Sequence, residues 1–409
     1  MTGGFVDEGT ETWYRIDDID VLRPFFVALA GDSDLWAFIS TAGSLAAGRR
    51  DAEGAFFPYE TVDKIHRRWE HTGPRSWILI DSDSDGDSAI EPELWQPFAP
   101  RLDGMAGRRS VWKNLSGTRL RLREEHPSGR LAFEQEWSSA AELGLVRTAR
   151  LEALQGRVFV RVLDGLLNLL PPGVGLAQAN TMSCLTDAYK WNESAAGGRL
   201  GLFTLYAQIW DRAEPKESFL ALVAWHAGLP AGARSLLSTH QVADFCRAGQ
   251  KQGQVQAEAL TRGRPGAWLV QFEAELLASA GAMEWHLVLD GPKTQVQAYE
   301  LAQHLASGGG TSDEIHAALA RNTAGVDELL ACADGLQQSG DPMAAAHHRA
   351  NVLFNIMRGG VFARGTVFDR QDLFAFVRQR HQAIGEVLAT AAAGWPEKIE
   401  RAHALAAAP

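Results

Sequence analysis

Residues 131–154, LAFEQEWSSAAELGLVRTARLEAL, decide the fold class of this 409-residue chain. They contain two runs of strand length, 131–137 and 145–154, that carry aromatic and β-branched residues. A similar run at 119–124 precedes them, and the HPSG sequence at 126–129 is typical of a hairpin turn. The spacing therefore predicts neighbouring antiparallel strands.

The same pattern of short apolar runs and turn residues extends from Trp13 to about Gly291. Further strands are predicted at residues 76–81, 158–163, 200–210, 219–226, 267–277 and 283–289. So many strands without intervening helices favour a sandwich of antiparallel sheets over a parallel α/β sheet.

After Pro292 the apolar period becomes that of helices. Helices are predicted at residues 294–306, 312–338, 341–357, 369–393 and 396–407. Ser312 is the expected N-cap of the second helix, and Asp341 followed by Pro342 is typical of a helix start. We therefore predict an α+β protein, with a large antiparallel β super-sandwich over residues 1–292 and a helical segment over residues 293–409.

Composition excludes several classes of protein. A net charge of -11 opposes nucleic-acid binding, because DNA and RNA require a basic surface. No apolar run approaches the ~18 residues of a membrane span, and the first eleven residues lack the pattern of a secretory signal. The three cysteines show no C-x-x-C spacing, which predicts buried thiols in a reducing compartment. A cytoplasmic protein without nucleic-acid or membrane partners is expected.

Motifs of nucleotide, zinc-protease and serine-hydrolase chemistry are missing from the sequence. It contains no G-x-x-x-x-G-K-[ST], no H-E-x-x-H and no G-x-S-x-G. His347 and His348 are adjacent, and neighbours on a helix project about 100° apart, so they do not share an ion easily. The sequence thus predicts no metal site.

An acidic segment resembles half of a calcium-binding loop. Asp81, Asp83 and Asp85 stand at ligand positions one, three and five, with Gly86 at position six. Position twelve, where a glutamate should complete the coordination shell, is Pro92. We favour a hydrated acidic loop over a calcium site, and expect no cofactor.

Residues 36–66 combine the aromatic and charged side chains that sugar-binding sites use. Sugars present an apolar face and a ring of hydroxyls, so aromatic rings next to carboxylates and guanidinium groups suit them. An alternative is that Arg49 and Asp51 hold a loop while Phe56, Phe57 and Tyr59 enter the core. The candidate substrate-binding residues of this first cluster are Arg49, Arg50, Asp51, Tyr59, Asp63 and Lys64.

A second cluster lies at residues 185–193, LTDAYKWNE. Strand alternation should send Tyr189, Trp191 and Glu193 to one side and Lys190 to the other. The candidate substrate-binding residues here are Tyr189, Lys190, Trp191 and Glu193. A third cluster, residues 351–362, forms an amphipathic helix that we expect to pack on the sandwich.

Four segments resemble the amino-terminal region of cellobiose-phosphorylase-like proteins, within the glycoside phosphorylases and hydrolases. They are AGRRDAEGAFFPYETVDKI (47–65), VLDGLLNLLP (162–171), LTDAYKWNE (185–193) and NVLFNIMRGGVF (351–362). The resemblance implies a galactose-mutarotase-like super-sandwich and a helical linker, which in that family precede an (α/α) barrel. In the family the barrel carries the general-acid aspartate, and in phosphorylases it also binds inorganic phosphate.

The residues after Pro292 are too few for such a barrel, since twelve helices need well over ~200 residues. We therefore predict the carbohydrate-binding part of a glycoside phosphorylase or hydrolase, in the wider glycosyltransferase group, that acts on β-glucosidic oligosaccharides. No catalytic residue is assigned, and the chain alone is expected to be inactive. Its expected partners are an oligosaccharide, a catalytic barrel in cis or in trans and, as a homodimer, a second copy.

Two alternatives stay open. One is a stand-alone sugar-binding or interaction scaffold without catalysis. The other is an independent mutarotase-like enzyme, which would need an acid and a base converging in one cleft. That enzyme would draw on histidines that are scattered in the sequence: His66, His226, His240 and His286.

Overall fold

The computed structural model of the chain describes most of its residues. These are 1–9, 11–61, 64–81, 92–99, 108–207, 220–250, 255–333, 335–337, 340–357 and 367–400.

Strands dominate the first three quarters of the described chain. They are β1 (Thr2–Glu8), β2 (Glu11–Asp17), β3 (Phe26–Ala28), β4 (Leu35–Ser40), β5 (Leu45–Arg49), β6 (Gly73–Ile80), β7 (Glu93–Trp95), β8 (Arg109–Asn114), β9 (Leu120–Glu125), β10 (Leu131–Ala140), β11 (Gly144–Ala153), β12 (Arg157–Leu169), β13 (Lys190–Ala195), β14 (Leu200–Leu205), β15 (Leu220–Ala227), β16 (Arg234–Ser238), β17 (Leu260–Arg262), β18 (Gly266–Leu277), β19 (Met283–Thr294), β20 (Val367–Asp369) and β21 (Lys398–Glu400). The helices are α1 (Leu176–Thr181), α2 (Ser183–Ala188), α3 (Gln241–Gln250), α4 (Gln295–Ala306), α5 (Ser312–Cys332), α6 (Pro342–Met357), α7 (Arg370–Arg380) and α8 (Gln382–Ala391).

Two large antiparallel sheets organise the molecule. The larger has eleven strands in the order β1-β2-β8-β9-β10-β11-β19-β15-β14-β13-β17, and the smaller has five in the order β16-β18-β12-β6-β7. Strands β3-β4-β5 form a third sheet, and β20 pairs with β21. The prediction of an α+β protein built mainly from antiparallel strands is confirmed, and each predicted strand run overlaps an observed strand.

The main core lies between the two large sheets. Phe133 and Trp137 of β10 and Trp285 of β19 are fully buried there, together with Val270 and Phe272 of β18 in the smaller sheet. Side chains one residue away point to the opposite face, because a strand has a period of two. The period-two pattern of the sequence is therefore what directs these aromatic residues into a common layer.

Arginine and glutamate side chains cover the outer face of the large sheet. Glu136 of β10 contacts Arg119 at 2.5 Å, Arg121 at 3.1 Å and Arg150 at 3.3 Å. Burial acts to raise the pKa of Glu136, but the three arginines outweigh it and lower that pKa. Every residue of β10 is buried: Phe133 and Trp137 lie in the apolar core, whereas Glu134 and Glu136 lie among the paired charges of the outer face.

Helices α4 and α5 pack against another part of the same outer face. Val146 and Val288 of the sheet share an apolar cluster with Leu305 of α4 and Ile315 of α5. Both helices begin with a capping box, the second of which uses Thr311, so the predicted N-cap at Ser312 is wrong by one residue. None of the helices in the described ranges combines the length and the apolar composition needed to cross a bilayer.

Several predicted helices and cysteine environments need correction. Residues 369–393 form two helices, because His381 has extended backbone angles and its ring caps α8 by accepting the amide of Ile384 at 3.3 Å. Residues 398–400 are a strand, held by pairing with β20, where a helix was predicted. Helices α1, α2 and α3 interrupt the region predicted as strands only. Cys184 and Cys332 are exposed, so the prediction of buried thiols is wrong for them.

A buried ion pair joins the two sheets through the core. Arg147 of β11 lies 2.7 Å from the carboxylate of Asp164 on β12, and both side chains are almost wholly excluded from solvent. Asp164 also accepts hydrogen bonds from Ser76 at 2.6 Å and from the indole of Trp285 at 2.7 Å. Gln135 accepts from Arg147 at 3.0 Å. Every charged atom is thus compensated inside the core, which is the condition for burying an ion pair.

Replacing Arg147 by methionine should lower the free energy of unfolding by about 3–5 kcal/mol, because Asp164 is left charged and buried without its partner. Arg157→Met is the matched control, since Arg157 is exposed and pairs with the half-exposed Glu275. That change should cost at most about 1 kcal/mol. Urea unfolding of both variants measures the difference, and equal losses would contradict the assigned role of the buried pair.

Candidate functional site

An open cleft of about 610 Å³ lies against the outer face of the five-stranded sheet. Side chains from β6, β12, α1, α2 and α3 line it. Its apolar wall comes from Trp77, Leu167, Leu170 and Val242, and polar groups that include Thr72, Asn168, Asp187 and Lys190 complete the lining. The cleft therefore offers an apolar wall, in which the indole of Trp77 is largely buried, beside several hydrogen-bonding groups.

Asp187 and Lys190 form an ion pair in the wall of the cleft. Their charged atoms lie 2.7 Å apart, and the Lys190 side chain is only 2% exposed. The pair spans the end of α2 and the first residue of β13, so the helix-to-strand turn sets its geometry. A charge buried this deeply is tolerated because it is paired.

Asn168 lies at an irregularity of β12. The pairing of β12 with β18 shifts register between Leu167 and Leu169, and Asn168 adopts a left-handed φ of 58°. Asparagine tolerates this conformation better than most residues. The side-chain amide donates to the hydroxyl of Thr72 at 3.0 Å. Bulges of this kind redirect a side chain, and here an amide lines the cleft next to the apolar side chain of Leu167.

Arg49, in the first predicted cluster, makes contacts within the scaffold. It lies 2.5 Å from Asp34 and 2.7 Å from Asp290 of β19, and donates to the carbonyl of Ala141 at 3.0 Å. Burial acts to lower the pKa of Arg49, but Asp290 and Asp34 outweigh it and raise that pKa. Arg49 thereby links β5 to the large sheet.

The other described residues of the first cluster are spread over a loop. Asp51 accepts the amides of Glu53 and Gly54 and so caps the short 3-10 turn at Ala52–Gly54. Arg50 has a left-handed φ of 66° and a side chain that is 71% exposed. Tyr59 packs edge-on against Trp36 with ring centres 5.8 Å apart.

Lys64 of the first cluster is exposed, and Asp63 lies outside the described residues. Phe56 and Phe57 are fully buried. The structure thus contains the loop-holding arrangement that the sequence offered as an alternative for this segment. Sugar binding by these side chains stays a prediction.

The segment of the first cluster is nevertheless connected to the cleft by hydrogen bonds. The carboxylate of Glu53 accepts the amide of Leu176 at 2.9 Å, and the carbonyl of Phe56 accepts the amide of Leu170 at 2.8 Å. Pro58 then lines the cleft itself. Two segments more than 100 residues apart in sequence are held side by side in this way.

The second cluster divides between two faces of β13, as alternation predicts. Lys190 and Asn192 are buried, whereas Trp191 and Glu193 are half-buried. Tyr189, which precedes the strand, stacks on Tyr206 with ring centres 5.3 Å apart. Only Lys190 of these predicted residues lines the cleft. The guanidinium of Arg262 lies 3.9 Å from the ring centre of Trp191.

The remaining predicted sites are only partly described. Asp81 accepts a hydrogen bond from Arg161 at 3.1 Å, while Asp83 and Asp85 lie outside the described residues. The third cluster is described as far as the end of α6 at Met357.

A second cavity, of about 630 Å³, contains His226. Burial lowers the pKa of His226 to about 4, with a further contribution from the positive charge of Arg199. The ring stacks on Trp268 with centres 5.9 Å apart. His226 is the only one of the four histidines of the mutarotase alternative among the described residues that line this cavity. His66 instead contacts the Ser40 hydroxyl at 2.6 Å.

Because the pKa of His226 is lowered in the folded state, the unfolded chain binds the extra proton first as the pH falls. The contribution of a neutral His226 to stability is therefore complete above pH 6.5 and is lost between pH 6.5 and about 4. The loss amounts to about 3 kcal/mol. His226→Gln should flatten the pH dependence of the unfolding free energy by that amount within this window. Denaturant titrations from pH 8 to pH 4 measure it, and parallel curves would contradict the assignment.

Sequence reasoning missed the residues that join Lys190 in the cleft. Thr72 and Trp77 come from one segment, and Asn168 comes from a second that is far from it in sequence. One signal was present, because Asn168 is a polar residue with turn character inside the apolar run LLNLL. The other two positions give no signal until the fold places them.

Comparison with known proteins finds similarity only at the level of solved structures. No protein-family model matches the chain, and no curated protein sequence matches it. A bacterial glucoamylase complexed with acarbose is 11% identical with a TM-score of 0.39, covering 76% of this chain and 37% of that protein. A protein named as a kojibiose phosphorylase from the human microbiome is 8% identical with a TM-score of 0.36, covering 82% and 42%.

The 4-alpha-glucanotransferase from Thermococcus litoralis is 9% identical with a TM-score of 0.25, covering 71% of this chain and 39% of that protein. The chain thus spans about two fifths of the length of each of these three proteins. Likeness at this level assigns no residue role here.

Proposed function

We propose that the chain binds a neutral oligosaccharide in the cleft beside Trp77. The observation that carries the proposal is the pairing of an apolar wall with an amide at Asn168 and an ion pair at Asp187 and Lys190 within one cleft. A sugar ring has the same two-sided chemistry, because its C–H groups suit apolar surfaces and its hydroxyls both donate and accept hydrogen bonds. A cleft of about 610 Å³ is in the size range of small-molecule sites.

The charged groups in the cleft are paired, which suits a hydroxylated ligand better than a charged one. The charges of Asp187 and Lys190 neutralise each other at 2.7 Å. Arg68, which also lines the cleft, pairs with Glu60, and the lining residues Glu70 and His71 lie 3.5 Å apart. A ligand with a net charge would gain little from such a pair, whereas a hydroxyl can donate to the carboxylate and accept from the ammonium group. The cleft would then contribute specificity through hydrogen bonds and affinity through its apolar wall.

The wider role we propose follows the resemblance of the four sequence segments. Residues 1–292 would be a galactose-mutarotase-like sandwich and residues 293–409 a helical linker. Together they would serve an enzyme that cleaves β-glucosidic bonds by phosphorolysis or hydrolysis. The chemistry would belong to an (α/α) barrel, supplied by the same polypeptide or by a second protein, and the chain would form a homodimer. The packing of α4 and α5 on the sheet supports a helical segment fixed to the sandwich.

Asn168→Gly tests the cleft with little disturbance of the backbone. Glycine accepts the left-handed φ of 58°, so the variant loses the amide and keeps the conformation. Loss of a hydrogen bond to the ligand should weaken binding about tenfold. Isothermal titration with cello-oligosaccharides, then with other neutral glucans, measures the change.

Arg50→Gly is the matched control for this change. Arg50 also has a left-handed φ, is exposed, and belongs to the first cluster. Its replacement should leave the affinity unchanged. If Arg50→Gly weakens binding and Asn168→Gly does not, the sugar binds at the first cluster and the cleft assignment is wrong.

The purified chain should bind oligosaccharide without cleaving it. Incubation with cellobiose, with and without inorganic phosphate, should release neither glucose 1-phosphate nor extra reducing sugar. If the wild-type chain releases either product and Asn168→Gly reduces that release, the chain itself is catalytic. That result would contradict the proposed division between a binding chain and a catalytic barrel. Light scattering of the same sample tests the proposed homodimer.

A further inference from the structure

Three potential metal ligands meet where α5 crosses the outer face of the large sheet. Glu284 and His286 lie two residues apart on β19, so their side chains point to the same face. His316 lies in the second turn of α5. Ile315, the neighbour of His316, is fully buried in the cluster between helix and sheet, which fixes the helix over the strand.

The ligand atoms of these residues are already close together. One nitrogen or oxygen from each of the three lies within 4.8 Å of the other two. The Nε2 atom of His316 is 3.2 Å and that of His286 is 3.4 Å from Oε1 of Glu284. In a tetrahedral zinc site with bonds near 2.0–2.1 Å, neighbouring ligand atoms are about 3.3 Å apart. Two of the three separations therefore match a zinc site, and His316, which is half-exposed, has room to adjust the third.

His286 is oriented for a ligand by its other nitrogen. Nδ1 lies 2.9 Å from the hydroxyl of Thr148 on the neighbouring strand β11. The ring is fully buried, yet its Nε2 atom has no hydrogen-bond partner among the described residues, since the contact with Glu284 lacks hydrogen-bond geometry. When Nδ1–H donates to Thr148, the lone pair of Nε2 faces the cluster. An unpartnered nitrogen in a buried position is costly, and a metal ion would satisfy it.

Charged neighbours leave one carboxylate oxygen of Glu284 facing the histidines. Arg150 donates to Oε2 of Glu284 at 2.6 Å, while Oε1 is the atom nearest to both rings. The charge of Arg150 is shared with Glu134 at 2.7 Å and with Glu136 at 3.3 Å. The arginine is therefore compensated by three carboxylates and opposes a cation less than an isolated guanidinium would.

We infer that Glu284, His286 and His316 form a binding site for a divalent transition-metal ion, with zinc as the best fit. Two imidazoles and one carboxylate suit zinc, whereas calcium and magnesium prefer oxygen ligands only. The three residues leave a fourth position to water. Because two ligands lie on β19 and one on α5, the ion would fasten the helix to the sheet. This inference does not rest on the proposed sugar binding.

The test uses the full chain, prepared without a polyhistidine tag. After dialysis against zinc, metal analysis should give about one ion per chain, and competition with a chromophoric chelator gives the affinity. Cobalt(II) should produce the strong visible absorption of a tetrahedral site. Chelation of the ion should lower the thermal unfolding midpoint, since binding to the folded state stabilises it. Absence of zinc binding by the folded wild-type chain would overturn the inference.

His316→Asn is the decisive variant, because its half-exposed side chain can be replaced without opening the core. Loss of one of three ligands should weaken zinc binding more than about 100-fold and remove the cobalt spectrum. Thr148→Val, nearly isosteric, should weaken binding by about 10–100-fold through loss of the hydrogen bond that orients His286. The matched control is His304→Asn, which removes a different exposed imidazole that lies 3.3 Å from a carboxylate, that of Glu314.

The control should bind zinc like the wild type. Equal affinities of His316→Asn and the wild type, or equal losses in His316→Asn and His304→Asn, would each overturn the assignment of the three ligands. His286→Asn should lose zinc binding in the same way. If this variant, which removes a buried ring, fails to fold, His316→Asn and Thr148→Val still decide the question, because neither replaces a buried ring.

Discussion

The ion pair between Arg147 and Asp164 is the constraint on which the arrangement of the two sheets depends. It connects β11 of the large sheet to β12 of the small one at a depth where water does not compensate charge. Burying such a pair is favourable only when each remaining donor and acceptor is satisfied, and Ser76, Gln135 and Trp285 fulfil that requirement. The directional contacts from five strands define how the sheets face each other, whereas apolar packing alone would accept several arrangements.

Ion pairs on the outer face of the large sheet also help to fix the arrangement of its strands. Arg119, Arg121 and Arg150 lie across neighbouring strands from Glu134 and Glu136, so opposite charges alternate over the surface. Cross-strand pairs of this type stabilise antiparallel sheets and align their register. Where α4 and α5 pack on Val146 and Val288, apolar residues replace the charges. The outer face of the large sheet is thus covered in one part by paired charges and in another by apolar side chains.

Sequence pattern predicted the strands well, because a strand with one face in an apolar core repeats every two residues. Residues 131–154 show this directly, with Phe133 and Trp137 directed inward. The helix break at His381 was not predicted, since no glycine or proline lies at it and the polar run RQRHQ at residues 378–382 is compatible with an exposed turn of one helix. The strand at residues 398–400 depends on pairing with β20, which is tertiary information.

The candidate cleft was less predictable than the fold, and for a physical reason. Lys190 was found because it lies in a dense polar segment, but Trp77 belongs to β6, whose sequence looks like core, and Thr72 immediately precedes that strand. Arg49 shows the opposite case. It had every property expected of a sugar ligand, and its carboxylate partners are supplied by Asp34 and Asp290 of the same chain.

The two faces of β19 carry different kinds of side chain, which restricts the insertions and deletions that this strand tolerates. Trp285 points into the layer between the sheets, and Glu284 and His286 point outward beneath α5. One extra codon within the strand would exchange the two sides, placing an indole under the helix and a carboxylate among aromatic rings. Length variation among natural variants should therefore concentrate in the turn at residues 278–282, where the backbone passes through small, exposed residues.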